Sequence, residues 1–592
     1  MAPSSPEYDV VIIGSGVSGA LCATRLADTG ARILILEAGE NSVSDVQRGQ
    51  FHRAWDVAPS KSWNTPYLRL PGSVPEGPNY YPSPSTSGDR TYFEQDAPNS
   101  EDTNVFKGYY HRMLGGTTWT WRGNTPRMIP SDFRLKTLYG LADVPDWPIS
   151  YDDLEHWYCE AERELGVSGD DDEWGGLHGA SRSCQFPMPA IVKSYSDRLA
   201  IEALGHPEID LGGHKYHPKL VTTPQARNSR PYDGRSACEG NSNCIPYCPT
   251  HAKYDASIHL KRALQQGVQV RSGCVVTKLV ADAQSGRVTK IIFKDWRSTA
   301  PKEDRELTAR LVILAAHAIE SPKILLMSEL ATKSEQVGRN LMDHVQSEVV
   351  ALFREPVYPY RGPQSITSIE AFRDGAFRSQ HAAFRMTLGN DGWGRSGNPT
   401  SVLEGLLNDS DPAKFHIGEE MKDQLVDKVT RLVRFGFSTE HLPRSTNRVT
   451  LSTHSRDDLD IPHPRIEYSV DEEYTVKALE AGHDVATKLF QKMGAEVAEE
   501  ESKLWKDGKL IWNTAGHPMG TCRMGMSASD SVVDSFGRCH EHPNLFLVGS
   551  SVFPTGATAN PTLTLAALTL RTAQAVRSAL VESALVEAYG EV

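Results

Sequence analysis

The chain of 592 residues lacks any apolar run of about 18 residues, so no membrane-spanning helix is expected. It also lacks a basic excess. Lys and Arg number 62 against 75 Asp and Glu, a formal charge of −13. That balance offers no basic surface for nucleic-acid phosphates and no polybasic patch for a membrane. The residues before Tyr8 carry neither an apolar leader nor a twin-arginine pair. The expectation is therefore a cytoplasmic protein, with export alongside a partner left open. Cysteine is scarce, at 9 residues, and the odd count argues against a dense disulfide framework. No two cysteines stand at C-x2-C spacing, which disfavours structural zinc. What remains is the composition of a soluble globular protein, 39% hydrophobic and 23% charged, too long for one core.

The strongest local pattern is YDVVIIGSGVSGALCATRLADTGARILILEAG. An apolar strand, Val10 to Ile13, leads into Gly14-Ser15-Gly16-Val17-Ser18-Gly19, then an apolar-spaced helix. A second apolar strand, Ile33 to Leu36, ends at Glu37. This is G-x-G-x-x-G in a strand–turn–helix setting. Gly14 permits the tight turn, Gly16 lets backbone approach a pyrophosphate, and Gly19 lets helix and strand pack closely. Glu37 can accept from a ribose hydroxyl, which favours NAD or FAD over NADP.

The C-terminal stretch NLFLVGSSVFPTGATANPTLTLAALTLRTAQAV reads as strand, loop and long helix, with Pro561 at the helix start. That helix N-terminus can stabilise the negative charge of a reduced flavin near N1–C2=O, which favours FAD over NAD. Upstream, GHPMGTCRMG sets His517 in a glycine-rich loop within reach of a substrate.

Taken together, GSGVSGA, GGTTWTWRG, VGRNLMDH, GHPMGTCRMG and NLFLVGSSVFPTGATANPTLT resemble the glucose–methanol–choline (GMC) oxidoreductases, in family order from residue 8 to 578. The resemblance implies an α/β fold: a Rossmann-type FAD-binding domain interleaved with an α+β substrate-binding domain. The expected FAD segments are 1–50, 105–145, 225–345 and 515–592, with an insertion at 51–104. The expected substrate segments are 146–224 and 346–514. It also implies cofactor contacts at Gly14, Ser15, Gly16, Ser18, Gly19, Glu37, Ala38, Arg112, Gly115, Gly116, Thr120, Val276, Gly549, Asn560, Pro561 and Thr562. Val276 lies in VRSGCVVTKLVAD, which looks like the strand whose backbone meets the adenine. In pyranose oxidases a histidine bonds the flavin covalently; Thr120 aligns with it here, so FAD is expected to be non-covalent.

Oxidising an alcohol removes a proton from oxygen and a hydride from carbon. The resemblance assigns the proton to His517 as base and the hydride to flavin N5. It makes Asn560 the residue that positions the substrate oxygen; Asn560 before Pro561 also reads as a helix cap. The forms of GGTTWTWRGNTPRM and DWPISYDDLEHWYCEAERELGVSG, with the loop below, are similar to bacterial glucose, fructose, sorbitol and glucoside 3-dehydrogenases and to pyranose oxidases. A sugar or glycoside substrate is expected, with electrons passing to a quinone, a cytochrome or oxygen, and with a small accessory subunit as a further partner. An alcohol or polyol oxidase acting on a non-sugar, and a lyase using FAD structurally, are the alternatives. The polar stretch GNDGWGRSGNP reads as a loop at the mouth of the site or a plain surface loop.

In CEGNSNCIPYC, Cys238, Cys244 and Cys248 fall at C-x5-C-x3-C in a turn-rich segment. Three readings stay open: ligands of an iron–sulfur cluster, as in some similar sugar dehydrogenases; a disulfide or zinc; or inert thiols.

Overall fold

A computed structural model describes residues 6–39, 93–95, 106–108, 110–240, 244, 248, 250–390, 417–499 and 502–589. The expected insertion at 51–104 and the loop beyond Asn390 lie almost wholly outside the described residues.

Five parallel strands form the first sheet, in the order Leu545–Leu547, Ala309–Leu314, Tyr8–Ile13, Ile33–Leu36, Gln269–Arg271. Parallel strands are covered on both faces, which is why these segments are continuous aliphatic runs rather than alternating ones. Val10, Val11, Ile12, Leu34 and Ile35 are fully buried. The helix Val17–Leu26 covers one face, and the C-terminal helix Pro561–Tyr589 packs against it and against the helix Tyr151–Leu165. Squeezed between two helices, the C-terminal helix is apolar on several sides: Leu563, Ala566, Ala567 and Ala573 are fully buried. The residues 270–282, expected as one strand, are two. Gln269–Arg271 joins the parallel sheet, and after a turn at Gly273 (φ +74°) Cys274–Ala281 starts a separate antiparallel sheet.

The second large sheet is antiparallel and runs Glu496–Val497, Val345–Leu352, Leu432–Thr439, Phe384–Gly389, Thr367–Ile369, Leu220–Thr222, with Asn513–Thr514 added on Val345–Leu352. The strands Leu432–Thr439 and Phe384–Gly389 alternate. Val433, Phe435 and Phe437 turn to the helix Glu473–Lys492, where Phe435 meets Phe490 at 4.6 Å between ring centroids. Arg434, Gly436 and Ser438 turn the other way, to a cavity. Phe384, Met386 and Leu388 repeat the pattern against Arg385, Thr387 and Gly389. The period of two thus gives this sheet one apolar and one polar face.

Trp147, Tyr151, Leu154, Tyr158 and Phe186 share one apolar core with the parallel sheet, whereas Leu220 sits in the core of the antiparallel one. Within the first core Glu162 is fully buried between two guanidinium groups, 2.9 Å from Arg127 Nε and 2.9 Å from Arg182 Nη2. Beside it Cys159 and Cys184 form a disulfide. The sparse cysteine count gave no sign of this bond, because its partners lie 25 residues apart in sequence. Closing a loop of that length stabilises a fold by about 3.5 kcal/mol in the chain-entropy account. The Cys159→Ser, Cys184→Ser double variant is expected to melt several degrees lower than the parent. It should also lose the parent's sensitivity to dithiothreitol, as differential scanning calorimetry with and without reductant would read.

Candidate active site

One cavity of about 690 Å³ runs from the glycine turn of the parallel sheet to the polar face of the antiparallel one. At the first end, Gly14 has φ +99°, and a Cβ there would lie 2.6 Å from the Ala315 carbonyl oxygen. A Cβ on Gly19 would lie 2.0 Å from the Gly14 carbonyl oxygen, so this glycine serves packing. A Cβ on Gly16 would meet nothing within 4 Å: that position opens on the cavity, at the free N–H groups of the helix Val17–Leu26. Such an end is suited to a pyrophosphate. Gly116 (φ +56°) approaches it from across the cavity, its Cβ position 3.1 Å from Gly16 Cα. The Glu37 carboxylate accepts from Ser15 N–H (2.9 Å), Ser15 Oγ (2.5 Å) and Gly39 N–H (2.8 Å). Burial raises its pKa against those bonds. A carboxylate has about four acceptor sites, which leaves capacity for a ribose hydroxyl.

At the far end His517 and Asn560 face each other, with Asn560 Nδ2 3.2 Å from His517 Nε2. The other ring nitrogen, His517 Nδ1, lies 2.8 Å from Nδ1 of His344, the two rings nearly perpendicular. His344 Nε2 is 3.2 Å from the Gly556 carbonyl oxygen. The backbone N–H of His517 donates to Asp343 Oδ1 at 2.9 Å. On the opposite side Arg385 Nη1 lies 3.5 Å from Asn560 Oδ1, while its Nε donates to Glu370 (2.6 Å) and its Nη2 to Thr223 (2.9 Å). Burial, with His344 and Arg385 nearby, holds the pKa of His517 well below the ordinary histidine value. Burial pushes His344 down to about 4 and the Asp343 carboxyl up to about 7.

Of the residues singled out in the sequence, Gly14, Ser15, Gly16, Ser18, Glu37, Ala38, Arg112, Gly116, Thr120, Val276, Gly549, Asn560, Pro561, Thr562 and His517 all line this cavity. Two do not. Gly19 packs helix on strand, and Gly115 (φ +88°) makes room for the Trp119 indole, 2.7 Å from where its Cβ would be. Thr120 Oγ1 lies 2.9 Å from His111 Nε2. Cys238, Cys244 and Cys248 lie outside the cavity wall and are free thiols. Arg227 donates to Cys244 Sγ at 2.8 Å. The buried Lys253 ammonium donates to the Cys244 carbonyl (2.7 Å) and to the carbonyls of Trp119 (2.9 Å) and Trp121 (2.5 Å). The cysteine loop is thereby tied to the stretch beside the cavity. Sequence reasoning passed over His344, Arg385 and Asp343. Asp343-His344 closes VGRNLMDH, a stretch quoted for its order and given no chemistry, and Arg385 reads as one polar position in an alternating strand.

Family models of the GMC oxidoreductases match residues 223–346 and 443–569, and a NAD(P)-binding Rossmann-like model matches residues 12–54. The chain is 33% identical over 586 residues to the fructose dehydrogenase large subunit of Gluconobacter japonicus, covering 97% of this chain and 99% of that one. The chain belongs to the GMC oxidoreductase family. Another member, the 2-methyl-1,2-propanediol dehydrogenase of Mycolicibacterium austroafricanum, is 27% identical, covering 96% and 95% of the two chains. An Aspergillus oryzae formate oxidase structure superposes with a TM-score of 0.62 at 15% identity, over 98% of this chain and 100% of that one, a likeness of fold. The open Gly16 position, the helix N-terminus behind it and the length of the cavity fit the FAD of this GMC fold. The chain is an oxidoreductase acting on CH–OH groups.

His111 and His317 also line the cavity, each pushed by burial down to about 4. A histidine whose folded pKa is depressed binds protons more readily when unfolded, so its contribution to stability is lost as pH falls from 6.5 towards 4. Asp343 and Glu37, with their folded pKa values raised, act in the opposite sense, but they are two cavity carboxyls against the four cavity histidines 111, 317, 344 and 517. The holoenzyme should therefore melt at least about 5 °C lower at pH 4.5 than at pH 7. An unchanged melting temperature across that range would contradict the neutral burial of these rings.

Proposed function

We propose that the protein oxidises a hydroxyl of a sugar or glycoside to a carbonyl. Bound non-covalently, FAD supplies the hydride acceptor at N5. Gly14, Ser15, Gly16 and the helix behind them would hold its pyrophosphate, Glu37 its ribose, Val276 its adenine side, and the helix start at Pro561–Thr562 its pyrimidine edge. His517 Nε2 takes the proton of the substrate hydroxyl, and Asn560 Nδ2 donates to the substrate oxygen and fixes it beside the base.

The observation that carries the sugar reading is the polar sheet face opposite His517. Gln346, Glu348, Arg385, Thr387, Arg434 and Ser438 project from three adjacent strands into the cavity, with Gln346 donating to Ser438 at 2.7 Å and Arg434 to Glu348 at 2.7 Å. A wall dense in donors and acceptors suits a polyhydroxylated ligand and is costly to desolvate against an apolar one. The extent and level of identity to a fructose dehydrogenase large subunit point the same way. The words large subunit in that relative's name also support a second subunit as partner, and the acceptor is proposed to be a quinone, a cytochrome or oxygen. The similarity to a propanediol dehydrogenase favours a short polyol as the second reading. The FAD-binding domain is assigned to 1–50, 105–145, 225–345 and 515–592, with residues 147–186 added because they share its core. The Cys159–Cys184 disulfide favours an oxidising compartment, and hence export with a partner, over the cytoplasm.

An iron–sulfur cluster at Cys238, Cys244 and Cys248 stays a proposal: the three thiols are free and Arg227 and Lys253 lie beside Cys244, but among the described residues the three sulfurs do not converge within reach of one ion. Thiolates on such a cluster carry negative charge, and these cations offset it. Purified protein should then contain iron and absorb broadly beyond the flavin bands; iron-free protein with a plain flavin spectrum would remove the cluster.

The main reading is tested by anaerobic bleaching of the flavin with a panel of sugars, glycosides and short polyols. A monosaccharide or glycoside is expected to bleach it fastest. His517→Ala should keep its flavin and reduce it at least about 10²-fold more slowly. Near-parental reduction by that variant would refute His517 as the base. Because burial depresses the pKa of His517, the acid limb of the parent's reduction rate should fall below the ordinary histidine value of 6.5.

A further inference from the structure

Five polar groups form one unbroken line through the catalytic end of the cavity: Arg385, Asn560, His517, His344 and the Gly556 carbonyl. The contacts are 3.5, 3.2, 2.8 and 3.2 Å in that order. The two ends are chemically fixed. A guanidinium only donates, and a carbonyl oxygen only accepts. The three groups between can each be read in two ways, as an amide flip or as a ring tautomer.

The ends decide all three. The Gly556 oxygen requires N–H on His344 Nε2. A neutral imidazole carries one proton, so His344 Nδ1 is an acceptor. His517 Nδ1, which faces it, must then be the donor, and His517 Nε2 is left with a lone pair. From the other end, Arg385 requires the oxygen of Asn560 towards itself, which turns the amide N–H onto that same Nε2. The two deductions meet at one atom and agree. The reversed line would set two lone pairs against each other at Gly556 and two donors against each other at Arg385, each unsatisfied and buried. His344 is 1% exposed and Arg385 4%, so water has little access to either clash. Arg385 is itself held by Glu370 and Thr223, and the His344 carbonyl accepts from the Ala515 N–H at 3.0 Å.

We infer that His344 and Arg385 are positioning residues that lock His517 in its Nδ1–H tautomer, so that Nε2 stands as the bare proton acceptor before substrate arrives. Neither residue touches the reacting atoms in this account. His344 acts through the ring of His517 and Arg385 through the amide of Asn560. The burial that keeps both rings neutral strengthens the arrangement, because a protonated His344 would turn its Nδ1 into a donor and break the line at its centre.

The inference rests on His517 being the base, and its test separates the two. Neutron diffraction of the parental protein should show the proton on His517 Nδ1 and His344 Nε2 and none on His517 Nε2. A proton on His517 Nε2 with Nδ1 bare would overturn the inference, whatever His517→Ala does to the rate. In flavin reduction by substrate, His344→Asn keeps an acceptor oxygen near the place of the lost Nδ1, and His344→Leu keeps none. A catalytic imidazole in the wrong tautomer loses up to about 10⁴-fold in rate, so His344→Asn is expected to be at least about tenfold faster than His344→Leu at matched flavin content. Equal rates for the two, whether both near the parent or both abolished, would overturn the role given to His344. If neither variant holds flavin, the neutron result alone decides.

Discussion

A buried guanidinium has to be paired, and the pairing of Arg385 governs how the two halves of this protein meet. Its Nε donates to Glu370 at 2.6 Å, and Glu370 also accepts from Arg373, whose other amine reaches the Arg127 carbonyl at 2.7 Å. Arg127 is in turn fixed by Glu162 in the core of the parallel sheet. One connected network of buried charge thus runs from the nucleotide-binding half into the antiparallel sheet and ends on Asn560, the residue before the C-terminal helix. Removing one partner from such a network strands a buried charge at a cost of about 3–5 kcal/mol. The polar face of the antiparallel sheet is therefore tied by buried ion pairs and hydrogen bonds to the start of the C-terminal helix.

The same strands that make the second core also make the polar wall of the cavity, because each side chain in a strand points opposite to its neighbour. Phe435 and Phe437 anchor the strand Leu432–Thr439 on the helix Glu473–Lys492, so the backbone that carries Arg434 and Ser438 is already fixed. Gly482 lets that helix sit close: a Cβ there would lie 2.7 Å from the Phe437 ring. Packing on one face thereby becomes preorganisation on the other.

The cysteines divide by a different logic. Cys238, Cys244 and Cys248, close in sequence, stay as free thiols beside Arg227 and Lys253. Cys159 and Cys184, which no spacing marked, are the bonded pair. Proximity in sequence is visible in a string of letters, whereas a crosslink depends on where the helix Tyr151–Leu165 lies against the segment that follows it.

Much of the nucleotide site was legible because it is local. The strand Tyr8–Ile13, the turn at Gly14 and Gly16 and the second strand ending at Glu37 fall within one short βαβ unit, and backbone sterics alone assign each glycine its place. His517 and Asn560 were legible through the loops that carry them. His344 and Arg385 were not, since each gains its meaning from a contact far along the chain, 173 residues from His344 to His517 and 175 from Arg385 to Asn560. The sequence by itself determined which residue types were present to bind a dinucleotide and to accept a proton. The tertiary structure decided which nitrogen of His517 carries a hydrogen, because that depends on a carbonyl and a guanidinium brought to opposite ends of one buried line.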